Sequence, residues 1–148
     1  MSDRSTEHAT FAIEHSYRAA PDRVFAAWAE PEQKNRWFGT RDGGIDLDFR
    51  PGGSERFLAE TPDGTTYTYT ATYKDIVPSE RIVYTYEMYR DQDRISVSVS
   101  TVELRPAEGG TALTYTEQGV FLDGHDTAAA REHGTREVLD HLGEELGS

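Results

Sequence analysis

From Gly43 through Gly124 the sequence alternates apolar and polar residues with a period of two, and only short turns interrupt the pattern. Alternation with this period is typical of β-strands that bury one face. The segments PGG, TPDGT, VPSER and AEGG carry the residues that favour turns. Strands that follow one another through tight turns form an antiparallel meander, and this pattern therefore constrains the fold more than any other feature of the chain.

Six strands are predicted within this region, and a seventh, FAIEHSY (residues 11–17), precedes it. The six are IDLDFR, SERFLAE, TYTYTATYKDIV, RIVYTYEMY, RISVSVSTVEL and LTYTEQGVF. In RISVSVSTVEL the pattern predicts that Ile95, Val97 and Val99 share the apolar face, with the intervening serines opposite. The apolar register then moves to Val102 and Leu104, and we expect a β-bulge near Ser100–Thr101 to absorb the change.

Helices are predicted on either side of the meander. APDRVFAAWAE and PEQKNRWF read as two short helices that begin at Pro21 and Pro31, because proline is tolerated in the first helical turn. TAAAREHGTREVLDHLGEEL reads as a long amphipathic helix capped by Asp126, with Arg131 and Thr135 on its apolar stripe. The predicted fold is α+β: a curved antiparallel seven-stranded sheet around a long C-terminal helix, with two short helices between strands 1 and 2.

Composition restricts the classes of function. The 148 residues suit one domain, which we assign to residues 10–148 after a flexible N-terminus, residues 1–9. The net charge of −12 argues against nucleic acid and anionic membranes as partners. The absence of cysteine excludes disulfides and thiol chemistry, the five histidines lack metal-ligand spacing, and no cofactor motif is present.

The first ten residues, MSDRSTEHAT, contain no apolar run, and no stretch of the chain is apolar enough to span a membrane. We therefore expect a cytoplasmic protein.

Several runs resemble one known family. They are APDRVFAAWAEPEQKNRWFG, DFRPGGSERF, YKDIVPSERIVYTYEM, GGTALTYTEQGVF and the final helix, and they cover residues 10–146. The family is named for an activator of the heat-shock protein 90 ATPase and belongs to the START-like (SRPBCC) helix-grip superfamily, with birch-pollen-allergen-like and polyketide-cyclase-like relatives. The resemblance implies a deep cavity between sheet and helix. Many members have Gly-Trp in the last helix where this chain has Gly134-Thr135, so Thr135 is expected to leave room.

Glu117 is the most informative candidate site residue. Alternation in LTYTEQGVF places it on the same face as Leu113 and Tyr115, where the core is expected. A buried carboxylate is costly unless it is paired or hydrogen-bonded. We expect Arg131, on the inward stripe of the last helix, to be its partner at the cavity. The alternative is that the strand bulges at Gly119 and that Glu117 faces water.

Aromatic residues supply the other candidates. Tyr69, Tyr84 and Tyr86 lie in mid-strand and are predicted to line the cavity, although cross-strand packing on the sheet is the simpler alternative. Trp37 and Phe38 close the second short helix, near the cavity entrance that the resemblance implies. They are candidates for a gate, and packing in the core is the alternative.

Three hypotheses of function follow. The first is that a small, largely apolar molecule binds in the cavity. The second is an enzyme of the cyclase, dehydratase or hydrolase type acting on an apolar, polyketide-like substrate, with Glu117 as general acid or base. The third is a chaperone-interaction module, by analogy with the family's founding member. A homodimer through an edge strand or the tyrosine-rich face is left open.

Overall fold

The computed structural model describes residues 4–38 and 44–147. Within these residues the elements follow one another in the predicted order, which is one strand, two short helices, six strands and one long helix. They are β1 (Thr6–Tyr17), α1 (Pro21–Ala29), α2 (Pro31–Trp37), β2 (Asp46–Leu47), β3 (Ser54–Glu60), β4 (Thr66–Val77), β5 (Arg81–Arg90), β6 (Asp93–Ala107), β7 (Gly110–Leu122) and α3 (Ala128–Leu146). The predicted α+β helix-grip fold is confirmed.

The seven strands form one antiparallel sheet in the order β1-β7-β6-β5-β4-β3-β2. The N-terminal strand is therefore the neighbour of the last strand, and Ile13 lies opposite Tyr115. Helix α3 packs on the inner face, where Leu139 and Leu142 are fully buried in the main core. The hydroxyl of Tyr17 donates to the carbonyl oxygen of Leu139 at 2.8 Å, so this bond ties β1 to α3.

The short helices begin where the prolines predict. Pro21 and Pro31 occupy the first turns of α1 and α2, and a single extended residue separates the two helices. The rings of Trp28 and Trp37 meet edge to face at 4.8 Å between centroids. The indole N–H of Trp37 donates to the carbonyl oxygen of Ala27 at 3.0 Å, which fixes one helix on the other.

Two predicted boundaries are corrected. Strand β1 begins at Thr6, so residues 6–9 belong to the sheet rather than to a flexible N-terminus. Strand β2 keeps only Asp46–Leu47 of the predicted IDLDFR. The chain turns back directly after β2, because the N–H of Gly53 donates to the carbonyl oxygen of Arg50 at 2.7 Å and closes a turn.

The predicted phase of β6 is wrong between residues 96 and 100. Ser96, Ser98 and Ser100 are buried on the inner face, and Val97 is 37% exposed on the outer face. The irregularity lies at Ile95, where the pairing with β5 shifts, and the pairing at Ser100–Thr101 is regular. From Ser96 onward one register therefore brings the serines, Val102 and Leu104 to the same face.

No helix in residues 4–38 and 44–147 combines the length and the apolar character needed to cross a membrane. The same residues contain no cluster of three acidic or histidine side chains placed to hold a metal ion.

Candidate functional site

A cavity of about 350 Å³ lies between the inner face of the sheet and α3, and we call it the central cavity. Among the described residues that line it, seven are aromatic: Trp28, Phe38, Phe57, Tyr69, Tyr84, Tyr86 and Tyr115. The others are Ala59, Met88, Asp126, Ala130, Arg131, Gly134, Thr135, Val138 and Leu139. Gly134 and Ala130 are also exposed to solvent, so the cavity opens beside this turn of α3. Its size and mostly apolar wall are those of a small-molecule site.

The aromatic wall is a continuous run of ring contacts. Phe57 stacks on Tyr69 with 4.9 Å between ring centroids, and Tyr69 meets Tyr86 at 5.0 Å. Phe38, at the end of α2, contacts the edge of this run at 5.4 Å from Tyr69. These contacts hold the rings in fixed positions, so the wall is formed in the absence of a ligand.

Glu117 lies behind this wall and is 0% exposed. Strand β7 continues without a bulge through Gly119 to Leu122, so the inward alternation reaches Glu117. Its carboxylate accepts hydrogen bonds from the hydroxyls of Tyr86 at 2.6 Å, Ser98 at 2.8 Å and Tyr115 at 2.6 Å. These three bonds offset much of the cost of burying the charge.

Arg131 of α3 completes the network. Its Nη1 lies 3.6 Å from Oε2 of Glu117 and donates to the Tyr86 hydroxyl at 2.8 Å. Its Nη2 donates to Ser96 Oγ and to Asp126 Oδ2, both at 2.9 Å. The guanidinium is therefore matched by two carboxylates and held in a fixed position at the end of the central cavity.

The buried hydroxyls of this network keep their protons. Burial raises the pKa of Tyr86 and Tyr115 well above the ordinary value of 10.0, and the neighbouring Glu117 carboxylate raises both further. For Arg131, burial alone acts to lower the pKa, but Tyr86, Glu117 and Asp126 outweigh it and the net shift is upward. The tyrosines thus act as hydrogen-bond donors to Glu117, and Arg131 remains a cation.

Asp126 has a different role from the predicted helix cap. Thr127 caps α3, because its side-chain oxygen accepts from the N–H of Ala130 at 3.1 Å. Asp126 is one residue too early for the cap, and its carboxylate binds Arg131 instead. It lines the central cavity, although it was not among the predicted site residues.

A second buried ion pair, which the sequence pattern did not predict, lies behind the opposite part of the wall. Lys34 of α2 is 0% exposed and its Nζ lies 2.6 Å from Oε1 of Glu55 on β3, which is 1% exposed. Tyr73 shares the pair, since its hydroxyl donates to Glu55 and accepts from Lys34. The Lys34 Nζ also lies 4.3 Å from the centre of the Phe38 ring. Burial lowers the pKa of Lys34, and Glu55 opposes part of that shift.

With this geometry defined, comparison with known proteins identifies the family. Residues 18–147 match the family described as Activator of Hsp90 ATPase homolog 1-like protein. The chain belongs to this family. A search of the curated proteins gave no match.

Solved structures of bacterial proteins share the fold along nearly the whole chain. An uncharacterized protein from Rhizobium leguminosarum is 46% identical with a TM-score of 0.93, over 97% of each chain. Protein Mll3558 from Rhizobium loti is 45% identical with a TM-score of 0.90, over 95% of this chain and 99% of that one. Protein SA2116 from Staphylococcus aureus, of unknown function, is 21% identical with a TM-score of 0.77, over 96% and 95%, and shows the fold alone.

Within this family fold, the structure brings six of the eight predicted site residues to the cavity wall: Phe38, Tyr69, Tyr84, Tyr86, Arg131 and Thr135. Glu117 lies directly behind the wall and contacts the cavity through the tyrosines and Arg131. Trp37 does not line the central cavity and packs in the core against Trp28. Trp28, which was not among the predicted site residues, belongs to the core and also lines the central cavity.

Proposed function

We propose that the protein binds a small, largely apolar molecule in the central cavity. The observation that carries this proposal is an open space of about 350 Å³ whose wall is mostly apolar and includes seven aromatic side chains. Protein interiors are otherwise close-packed, and an unfilled apolar space forfeits packing contacts. Four small residues preserve the space where larger side chains would fill it: Ala59, Ala130, Gly134 and Thr135. An apolar occupant would regain the missing contacts.

The polar network supports binding by giving the cavity a rigid end. Glu117 and Arg131 are joined to each other and to the tyrosine hydroxyls, so these side chains need not reorganise when a ligand enters. A site that is already ordered loses less conformational entropy on binding. The Arg131 guanidinium lies 5.1 Å from the centre of the Phe121 ring, and this contact adds to its fixed position.

The same network argues against the enzyme alternative. A general acid or base must reach the proton that it transfers, directly or through one water. Glu117 does not line the central cavity, and both its oxygens already accept hydrogen bonds from Tyr86, Ser98 and Tyr115. Binding therefore fits the geometry better than proton transfer by Glu117.

The chaperone-interaction alternative is supported by the family description alone. No contact among the described residues argues for it, and a fold can carry unrelated functions.

Saturable binding of Nile red, an uncharged hydrophobic dye, tests the proposal. We expect dye fluorescence to rise on binding to the wild-type protein. A ligand at a hundred times its Kd stabilises a protein by about 2.7 kcal/mol. For a domain of this size that raises the Tm by roughly 5–10 °C.

Two variants locate the binding site. Thr135→Trp places an indole in the central cavity and should abolish dye binding while the protein stays folded. Arg136→Trp adds the same ring to the exposed face of α3 and should leave binding unchanged. Dye binding that survives in Thr135→Trp, or the absence of saturable binding in the wild type, would refute the proposal.

A further inference from the structure

We propose that the occupant of the central cavity is an aromatic molecule carrying an uncharged hydrogen-bond acceptor, such as a ketone oxygen, which meets the indole N–H of Trp28 and the hydroxyl of Tyr69. This inference rests on the proposed function and names the chemistry of the ligand.

Trp28 and Tyr69 hold the two polar atoms of the aromatic wall that lack a partner among the described residues. Trp28 is 2% exposed and Tyr69 is 4% exposed, yet neither the Nε1 of Trp28 nor the hydroxyl of Tyr69 makes a hydrogen bond there. Both side chains line the central cavity and both rings contact Phe38, at 6.5 Å and 5.4 Å between centroids. Buried polar groups are nearly always hydrogen-bonded, so each unpartnered atom requires an explanation.

Other buried indole and phenol groups have hydrogen-bond partners. The indole of Trp37 donates to the carbonyl oxygen of Ala27, and the hydroxyls of Tyr86 and Tyr115 donate to Glu117. The fold therefore provides hydrogen-bond partners for other buried indole and phenol groups, including those of Tyr86 and Tyr115 on the same cavity wall. Among the described residues the other buried side-chain atoms without a partner are Asn35 Oδ1 and Glu55 Oε2, which lie outside the cavity lining. The two unpartnered atoms on aromatic side chains both belong to residues that line the central cavity.

The indole N–H of Trp28 and the hydroxyl of Tyr69 are donors, so a ligand would satisfy them with a hydrogen-bond acceptor. An indole N–H can only donate a hydrogen bond. Burial raises the pKa of Tyr69 well above 10.0, so its hydroxyl keeps a proton to donate. A ligand atom with two lone pairs, such as a carbonyl oxygen, can accept from one or both donors.

Charge balance indicates that the acceptor is neutral. Arg131 is already matched by Glu117 and Asp126, and Lys34 is matched by Glu55 behind the wall. These groups at the two ends of the cavity comprise two cations and three carboxylates, and the whole chain carries a net charge of −12. A ligand carboxylate would add a further negative charge with no free cation among these groups to receive it.

The rings indicate that the rest of the ligand is aromatic. Phe57, Tyr69 and Tyr86 form successive ring contacts along one side of the cavity, and Trp28 and Phe38 form another part of the wall. Aromatic rings gain from offset-stacked and edge-to-face contacts with such a wall beyond the burial of apolar area.

Three probes that share one ring system test the inference by competition with Nile red. Fluorenone carries the ketone oxygen, fluorene lacks it, and fluorene-9-carboxylate replaces it with a charge. We expect fluorenone to bind most tightly, by roughly two- to tenfold over fluorene for each hydrogen bond formed. The carboxylate should bind most weakly of the three.

Matched variants assign the donors. Trp28→Phe and Tyr69→Phe each remove one donor and keep a ring, so each should lower the affinity for fluorenone by roughly two- to tenfold and change the affinity for fluorene much less. Tyr89→Phe removes a hydroxyl that lies away from the central cavity and serves as the control. If Trp28→Phe does not fold, Tyr69→Phe and the ranking of probes on the wild-type protein decide the result.

The outcomes separate this inference from the proposed function. Equal binding of fluorene and fluorenone, or tightest binding of the carboxylate, would overturn the inference and leave the proposed function intact. Binding of Nile red without displacement by any of the three probes would likewise overturn the inference and leave the proposed function intact. If Nile red itself does not bind, the proposed function fails and the inference falls with it.

Discussion

The buried pair of Lys34 and Glu55 allows a quantitative test of how the short helices are held on the sheet. Lys34→Met keeps the length of the side chain and leaves the Glu55 carboxylate, which is 1% exposed, with the Tyr73 hydroxyl as its hydrogen-bond partner. Removing one member of a buried ion pair costs about 3–5 kcal/mol. Since domains of this kind have about 5–15 kcal/mol of stability in total, the single variant should be severely destabilised.

Replacing all three polar side chains, Lys34, Glu55 and Tyr73, with apolar ones should restore most of the stability lost in Lys34→Met. Lys34→Met with Glu55→Leu eliminates both charges but leaves the Tyr73 hydroxyl buried without a partner, which costs about 1–3 kcal/mol. Adding Tyr73→Phe removes that hydroxyl as well. We expect the triple variant to return to within about 1 kcal/mol of the wild type, because well-packed apolar residues often replace a buried ion pair without loss.

Urea unfolding followed by tryptophan fluorescence measures these differences, and Trp28 lies close to the substitutions, with its ring centre 5.3 Å from Lys34 Nζ. The effects of the three substitutions on the free energy of unfolding should be strongly non-additive. A Lys34→Met variant that loses less than about 1 kcal/mol, or a triple variant less stable than Lys34→Met, would refute this prediction.

Three further predictions concern the inner face of the sheet and α3. A Cβ at Gly119 would lie 2.6 Å from Ser98 Oγ, so Gly119→Ala should displace the hydroxyl that donates to Glu117 and cost about 1–3 kcal/mol in urea unfolding. A Cβ at Gly134 meets nothing within 4 Å, so Gly134→Ala should stabilise the helix by about 0.5–1 kcal/mol in the same assay, and a loss of stability would contradict the open space there. Burial raises the pKa of the core tyrosines that line the cavity, so above pH 10 the unfolded chain releases protons that the folded chain keeps. The free energy of unfolding should then fall by up to about 1.4 kcal/mol per pH unit for each such tyrosine. Lys34, whose pKa is lowered by burial, makes the free energy of unfolding rise with pH, but only below its ordinary pKa of 10.5. A free energy of unfolding that stays constant to about pH 11 would contradict this prediction.

Local patterns were sufficient to predict most of the fold. Strands with one buried face carry their period in the sequence, and Pro21 and Pro31 mark the starts of α1 and α2. The phase of β6 could not be read in this way, because valine was assumed to lie inside. Ser98 can be buried because its hydroxyl donates a hydrogen bond to Glu117 on the neighbouring strand β7. A partner so distant in sequence leaves no signal in the local pattern of residues.

The same limit applies to the candidate site. Alternation and the helical stripe placed Glu117 and Arg131 on facing surfaces, and the structure brings them within 3.6 Å. Lys34 and Glu55 were missed because charged residues are mostly exposed, which made the surface the natural assignment. A signal was present, since Glu55 shares its strand face with Phe57 and lies where alternation points inward.

The pairing of β1 with β7 has a consequence for the synthesis of the chain. Thr6 lies opposite Leu122, so β1 stays without its partner during synthesis until the chain has been made as far as β7. Pairings so distant in sequence slow folding, since the entropy of closing the loop is lost before any contact forms. The strand that ends at Tyr17 is thus exposed to unwanted pairing during translation for longer than any other part of the sheet, and the last helix can settle on a finished surface only after that strand has been captured.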